Sequence, residues 1–240
     1  MTSSEAGRME AAFADTTEIR VWDLPVRAMH WLLVIGISVC WWTGINNELE
    51  YHLWSGYAIL WIVLMRLYWG LVGSSTARFV NFMRGPKAIL DYASTLHRRD
   101  APQSHGHNAL GAISIAVMLG LILAVVILGL FAVDVDGLYS GPLSSYITFK
   151  QGRHLAHLHY RWFNILLWVI ALHLAAVIYY FFYKRRNLIG PMLHGKRAVD
   201  AGDVGDAAET EMQGAPFWRF VIGAIIATAI VYAVSIGFYF

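Results

Sequence analysis

Two histidines stand fourteen residues apart in one apolar segment, His159 and His173 in HYRWFNILLWVIALH. If this segment is a helix, fourteen steps of about 100° return to within about 40° of the same face, and the rise separates the two rings by about 21 Å. A lipid-buried imidazole needs a partner, and the imidazole nitrogen is a ligand of transition metals, haem iron among them. The spacing therefore predicts two binding levels that face one interior.

The composition places this helix in a membrane. The chain has 240 residues, of which 58% are hydrophobic and 14% are charged. Such a chain cannot hide its apolar side chains in one water-soluble core, so we expect an integral membrane protein. The net charge of +2 is too small to favour a nucleic-acid partner. The single cysteine, Cys40, excludes an internal disulfide, a cysteine-ligated iron–sulfur cluster and a CxxCH site for covalent haem.

Apolar stretches and basic loops predict the topology. Five stretches are long enough, or nearly so, to span the membrane, at residues 26–45, 52–72, 109–133, 155–183 and 217–240. Lys and Arg collect after the second and fourth stretches, whereas the loops after the first and third are acidic or mixed. By the positive-inside rule we expect a cytoplasmic N-terminus and a periplasmic C-terminus.

This topology sorts four histidines by depth. His30 and His173 fall near the cytoplasmic side, and His52 and His159 fall near the outer side. Each level then receives one imidazole from each of two helices, which is the ligand set of six-coordinate haem iron. The alternative for any one intramembrane histidine is a hydrogen-bonded packing role, but four that pair by depth favour a bound group.

Two further histidines compete with His159 for the outer level. His154 and His157 lie at the start of the same predicted helix. Relative to His173, helical rotation turns His157 by about 160° and His154 by about 100°. We therefore expect both at the surface or the membrane interface.

Two arginines lie within or at the edge of apolar stretches, Arg66 near the cytoplasmic side and Arg161 near the outer side. A guanidinium at each level could pair with haem propionates through bidentate hydrogen bonds. The alternative is an arginine that extends to lipid headgroups.

Glycines recur inside the predicted spanning helices. Their role is either close helix packing or room for a haem plane against the backbone, and the sequence leaves both open. They are Gly36, Gly44, Gly56, Gly120 and Gly129.

Longer motifs run through the chain in a fixed order: VWDLPVRAMHWLLV, HLWSGYAILWIVLMRLYWGLVG, ARFVNFMRGP, GHNALG and HYRWFNILLWVIALHLAAVIYY followed by NLIGPMLHGK. Together they resemble the family of bacterial cytochromes b561 and b-type cytochrome subunits of nickel–iron hydrogenases. The resemblance implies an all-α four-helix transmembrane bundle in the bacterial inner membrane that holds two non-covalent b-type haems. It also implies the axial ligands, which are His30, His52, His159 and His173.

The resemblance implies a task as well, which is electron transfer between a periplasmic redox enzyme or cytochrome c and the quinone pool. Quinone would bind on the cytoplasmic side, where Arg27, His107 and Asn108 are candidates. The alternatives are that Arg27 extends to headgroups and that Asn108 caps a helix. A second hypothesis is a stand-alone superoxide:quinone oxidoreductase, in which Lys150, Arg153 and Arg161 attract the anion.

The expected organisation has four parts: a cytoplasmic segment at 1–20, the di-haem domain at 21–197, a flexible acidic linker at 198–216 and an extra spanning helix at 217–240. The hydrogenase subunits of the family have four helices, so the fifth is a departure. It could pack against the membrane anchor of a partner or against a second copy of the chain.

Overall fold

The computed structural model of the protein describes residues 16–83, 85–94, 109–200 and 211–238. The helices are α1 (Leu24–Ile45), α2 (Leu49–Val72), α3 (Phe79–Phe82), α4 (Pro86–Ser94), α5 (Ala109–Leu130), α6 (Phe149–Phe182), α7 (Ile189–His194) and α8 (Phe217–Ser235). A 3₁₀ helix spans Ser144–Tyr146, and the strands are β1 (Thr16–Arg20) and β2 (Lys196–Asp200).

Five helices, α1, α2, α5, α6 and α8, are long and apolar enough to cross a membrane. They confirm the predicted all-α integral membrane fold. The largest difference from the predicted bounds is at α6, which begins at Phe149, six residues before the apolar stretch. A capping box explains this early start, because the Thr148 hydroxyl accepts from the backbone of Gln151 and the Gln151 side chain accepts from the backbone of Thr148.

Helix α2 is the centre of the bundle and packs against α1, α5 and α8. Half of its apolar stretch is buried, and the side chains of Val63 and Met65 are wholly inaccessible to solvent. The other spanning helices are far more exposed, and α6 turns Trp168 outward with 78% of its surface accessible. Lipid tails can cover such side chains, and α2 is the spanning helix most enclosed by protein.

Helix α8 lies along α2. Gly223 of α8 faces Met65 and Tyr68 of α2 so closely that a Cβ on Gly223 would approach the Tyr68 ring to 2.5 Å. Three hydrogen bonds fix the helix along its length: Arg219 to the carbonyl of Val72 (2.9 Å), Trp61 to the Thr228 hydroxyl (3.0 Å), and Tyr146 to the carbonyl of Gly237 (2.6 Å).

Strands β1 and β2 form an antiparallel pair at one end of the bundle, with Arg20 opposite Lys196. We call this the sheet end, and the opposite end, which holds loops 46–48 and 131–148, the far end. Lys196 donates to Glu18 over 2.8 Å and holds the pKa of that carboxyl below its usual value.

The expected N-terminal segment and flexible linker both include residues that form strands next to the bundle. Residues 16–20 and 198–200 pair as strands, because each satisfies the backbone groups of the other. Beyond the strand, Met212 donates to the carbonyl of Arg20, and Gln213 exchanges hydrogen bonds with Ser75. The described part of the linker therefore lies against the sheet end.

Candidate functional site

The rings of His52 of α2 and His159 of α6 lie close together, edge to face, in the far half of the bundle. Their ring centroids are 5.9 Å apart and the ring planes meet at 83°. Both side chains are half-buried. We call these two residues the far pair, and the structure brings them together from helices that are distant in sequence.

Each histidine of the far pair donates to a backbone carbonyl of a neighbouring helix. His52 Nδ1 donates to the carbonyl of Cys40 in α1, and His159 Nδ1 donates to the carbonyl of Val125 in α5, both over 2.8 Å. Because a carbonyl only accepts, the proton of each ring lies on Nδ1 and Nε2 carries the lone pair that a ligand site needs. The Cys40 thiol lies 3.9 Å from His52 Nε2. Metal-ligating histidines commonly have this tautomer and this type of second partner. The far pair therefore fits the requirements of haem iron.

His30 of α1 and His173 of α6 form the second level, which we call the near pair because it lies nearer the sheet. Both are half-buried. His30 Nδ1 is buried and has no hydrogen-bond partner within the described residues. A buried, unpaired ring nitrogen is costly in a protein interior and is explained by a bound group.

The competing histidines point elsewhere. His154 and His157 are exposed, whereas His159 on the same helix is half-buried. This agrees with the helical phase, which turns both away from the face that carries His173. The geometry thus favours His159 at the far level.

Arg66 is buried, with 6% of its surface accessible, and its guanidinium does not reach the headgroup region. It lies 3.4 Å from the carbonyl of Ala77 and 5.0 Å from the centre of the Phe79 ring. Among the described residues no carboxylate forms an ion pair with Arg66 within 4 Å.

Arg161 is exposed near the start of α6. Of the candidate quinone residues, Arg27 donates to the carbonyl of Leu193, which ties α1 to α7. His107 and Asn108 lie outside the described residues.

The carbonyls of Cys40 and Val125 are the site groups that the residue types did not indicate. Every residue has a backbone carbonyl, so no side-chain pattern marks those that orient a histidine. Among the residues that the structure describes, no three His, Cys, Asp or Glu side chains converge as a metal cluster. The histidines occur as two pairs.

A family model described as prokaryotic cytochrome b561 matches residues 21–195. The spanning helices and this match define a multi-pass membrane cytochrome that binds b-type haem and transfers electrons. The match covers well over half of the chain, which therefore belongs to the prokaryotic cytochrome b561 family. Comparisons with curated proteins and with solved structures returned no match. Helix α8 lies beyond the matched residues.

Proposed function

We propose that the chain holds two b-type haems, one at the far pair and one at the near pair, and carries electrons between a periplasmic redox partner and the quinone pool. The far pair carries this proposal, since His52 and His159 face each other with both Nδ1 atoms bound to carbonyls. A bound haem supplies an iron that accepts and releases one electron at a time.

Helix α6 links the two levels, because it contributes His159 to one and His173 to the other. The fourteen residues between them correspond to about 21 Å along the helix axis, most of a hydrocarbon layer of about 30 Å. The protein thus holds its redox centres near opposite membrane surfaces and keeps the intervening space apolar.

The distribution of charged residues favours one orientation in the membrane and hence one direction of electron transfer. The sheet end carries Arg78, Lys87 and the run Lys184, Arg185 and Arg186, which favours the cytoplasmic side of a bacterial inner membrane. The far pair then faces the periplasm and receives electrons from a redox enzyme or cytochrome c. Quinone binds beside the near pair, where Arg27 is the described candidate and the sequence adds His107 and Asn108.

Arg66 supports the assignment of the near level. It lies six residues before the sheet end of α2, and His30 lies six residues after the sheet end of α1. A buried guanidinium needs a counter-charge, and a haem propionate at that depth supplies one. Arg161 is the corresponding candidate for the far haem.

The haem count tests the proposal. We expect two b-type haems per purified chain, one after His159→Ala or His173→Ala, and two after His157→Ala, because His157 is exposed and turned away. Pyridine haemochrome quantification against protein mass gives these numbers. A chain with one haem or none contradicts the proposal, and loss of a haem in His157→Ala contradicts the ligand assignment.

The second candidate is a stand-alone superoxide:quinone oxidoreductase. The exposed Lys150 and half-buried Arg153 near the far end, with the exposed Arg161 two residues beyond His159, favour an anionic substrate on that side. The purified chain alone, given a superoxide source and quinone, decides between the two functions. Quinone reduction that superoxide dismutase abolishes supports this candidate, and its absence supports a protein partner.

A further inference from the structure

The two histidines of the far pair are held by the same local arrangement on two different helices. His52 donates to the carbonyl of Cys40, and His159 donates to that of Val125. Four residues beyond each carbonyl the helix has a glycine, Gly44 in α1 and Gly129 in α5. The same spacing thus occurs twice around one candidate haem.

Helix geometry explains why the glycine matters. A helical Cβ tilts toward the N-terminus, so the side chain at one position covers the turn that contains the carbonyl four residues earlier. That carbonyl already accepts the helical N–H of the later residue, and its second lone pair lies beneath this side chain. A glycine removes the cover and lets another helix donate to the exposed carbonyl.

The imidazoles of His52 and His159 fill the spaces left by the missing side chains of Gly44 and Gly129, which we call the two seats. A Cβ on Gly44 would lie 3.1 Å from His52 Nδ1, and one on Gly129 would lie 3.0 Å from His159 Cε1. Both separations are shorter than an ordinary carbon contact of about 3.5–4.0 Å. An alanine at either position therefore has to displace the ring and weaken its bond to the carbonyl.

Other glycines of the spanning helices differ. A Cβ on Gly56 in α2 or Gly120 in α5 would meet nothing within 4 Å, and one on Gly36 would meet the Ile59 side chain. Gly120 shares a helix with Gly129 and is exposed. The structure thus separates glycines that the sequence left equivalent, and Gly120 provides a matched control.

The near pair differs from this arrangement at His30, whose Nδ1 is buried without a partner among the described residues. A hydrogen bond from Nδ1 to a carbonyl makes an imidazole ligand more basic, and more basic ligands favour the oxidised iron. We propose that Gly44 and Gly129 are positioning residues that open the Cys40 and Val125 carbonyls to the far histidines and so lower the reduction potential of the far haem. This inference rests on the proposed function, because it requires a haem at the far pair.

The test compares Gly44→Ala and Gly129→Ala with the control Gly120→Ala, each in the full-length protein in detergent. Haem content and a spectroelectrochemical titration are measured for each. We expect Gly44→Ala and Gly129→Ala to affect the same haem, either by raising its midpoint potential or by causing its loss. The other haem should keep its potential, and the control should match the parent in both measurements. A purely structural role would lower the melting temperature and leave both potentials in place.

The inference is overturned if both potentials stay unchanged in the seat variants, if the two variants affect different haems, or if Gly120→Ala moves the same potential. A parent protein with fewer than two haems contradicts the proposed function instead, before any glycine is changed. If the seat variants do not accumulate, His173→Ala and His159→Ala decide. The haem kept in His173→Ala must then titrate at the lower potential, and an equal or higher value overturns the inference.

Discussion

At the start of α1 the carboxylate of Asp23 accepts two hydrogen bonds with different purposes. One oxygen accepts from the backbone of Val26 over 2.8 Å and caps the helix, and the other accepts from the Trp69 indole over 2.7 Å. The second bond joins α1 to the sheet end of α2, about two turns before His30 in the helix. One side chain therefore fixes both the start of α1 and its position on α2.

Substitution of Asp23 tests this double role. We expect Asp23→Ala to destabilise the protein by about 1–3 kcal/mol, because the cap is lost and the indole N–H has no partner. Asp23→Asn keeps a side-chain acceptor and should cost less than Asp23→Ala. Thermal unfolding in detergent gives the order, and Trp69→Phe should remove most of the difference between Asp23 and its alanine variant. Equal melting temperatures for the alanine and asparagine variants would contradict the assignment.

Between elements, the fifth spanning helix docks through a small surface. Gly223 and Ala227 of α8 are buried against the bundle, whereas Ile225 between them is 64% accessible. Small residues let membrane helices approach closely when lipid and protein are equally apolar. The contact with α2 thus depends on shape and on the three hydrogen bonds along the helix.

A methyl group at the contact should separate these helices. We expect Gly223→Ala to cost about 1–3 kcal/mol, because its Cβ would lie 2.5 Å from a Tyr68 ring carbon. Ile225→Val, on the accessible side of the same helix, should leave stability unchanged. Both variants should keep the haem content of the parent, since the four proposed ligand histidines lie on other helices. Thermal unfolding and haem quantification check the pair, and equal melting temperatures would disprove the docking argument.

Elements that depend on residues close together in the sequence could be predicted, whereas elements that depend on contacts between distant residues could not. The spans were predictable because an apolar stretch of sufficient length is a local property. The pairing of β1 with β2 was not, because Arg20 and Lys196 are distant in sequence and neither segment is apolar. The depth levels of the histidines followed from helix counting, but the carbonyl bonds of His52 and His159 depend on how α1 and α5 approach them.

For the whole molecule, orientation decides which haem meets which partner. The basic residues of the sheet end and the acidic or mixed loops of the far end favour a cytoplasmic sheet. The hydrogen bonds of α8 show that this helix runs from the sheet end to the far end. Arg219 lies at the Val72 end of α2, and Gly237 lies beside Tyr146 of the far end.

Labelling of introduced cysteines tests this orientation. In a Cys40→Ser background, Asp136→Cys in the far loop and Lys87→Cys in α4 both place a thiol at an exposed position. We expect a membrane-impermeant maleimide added to cells with a permeabilised outer membrane to label the first variant. The second should react only after the inner membrane is opened. The reverse pattern would invert the proposed path of the electrons.

Helix α6 carries one histidine of each pair on a single uninterrupted rod of 34 residues. The distance between the two levels along this helix is therefore set by the number of residues between the histidines and can change only by whole residues. One residue inserted between His159 and His173 would turn one ring by about 100° away from its partner, whereas seven would restore its rotation but move it about 10 Å along the axis from that partner. Insertions in α6 therefore cannot change the proposed electron-transfer distance by small amounts. They either leave the two histidine pairs in place or separate one of them.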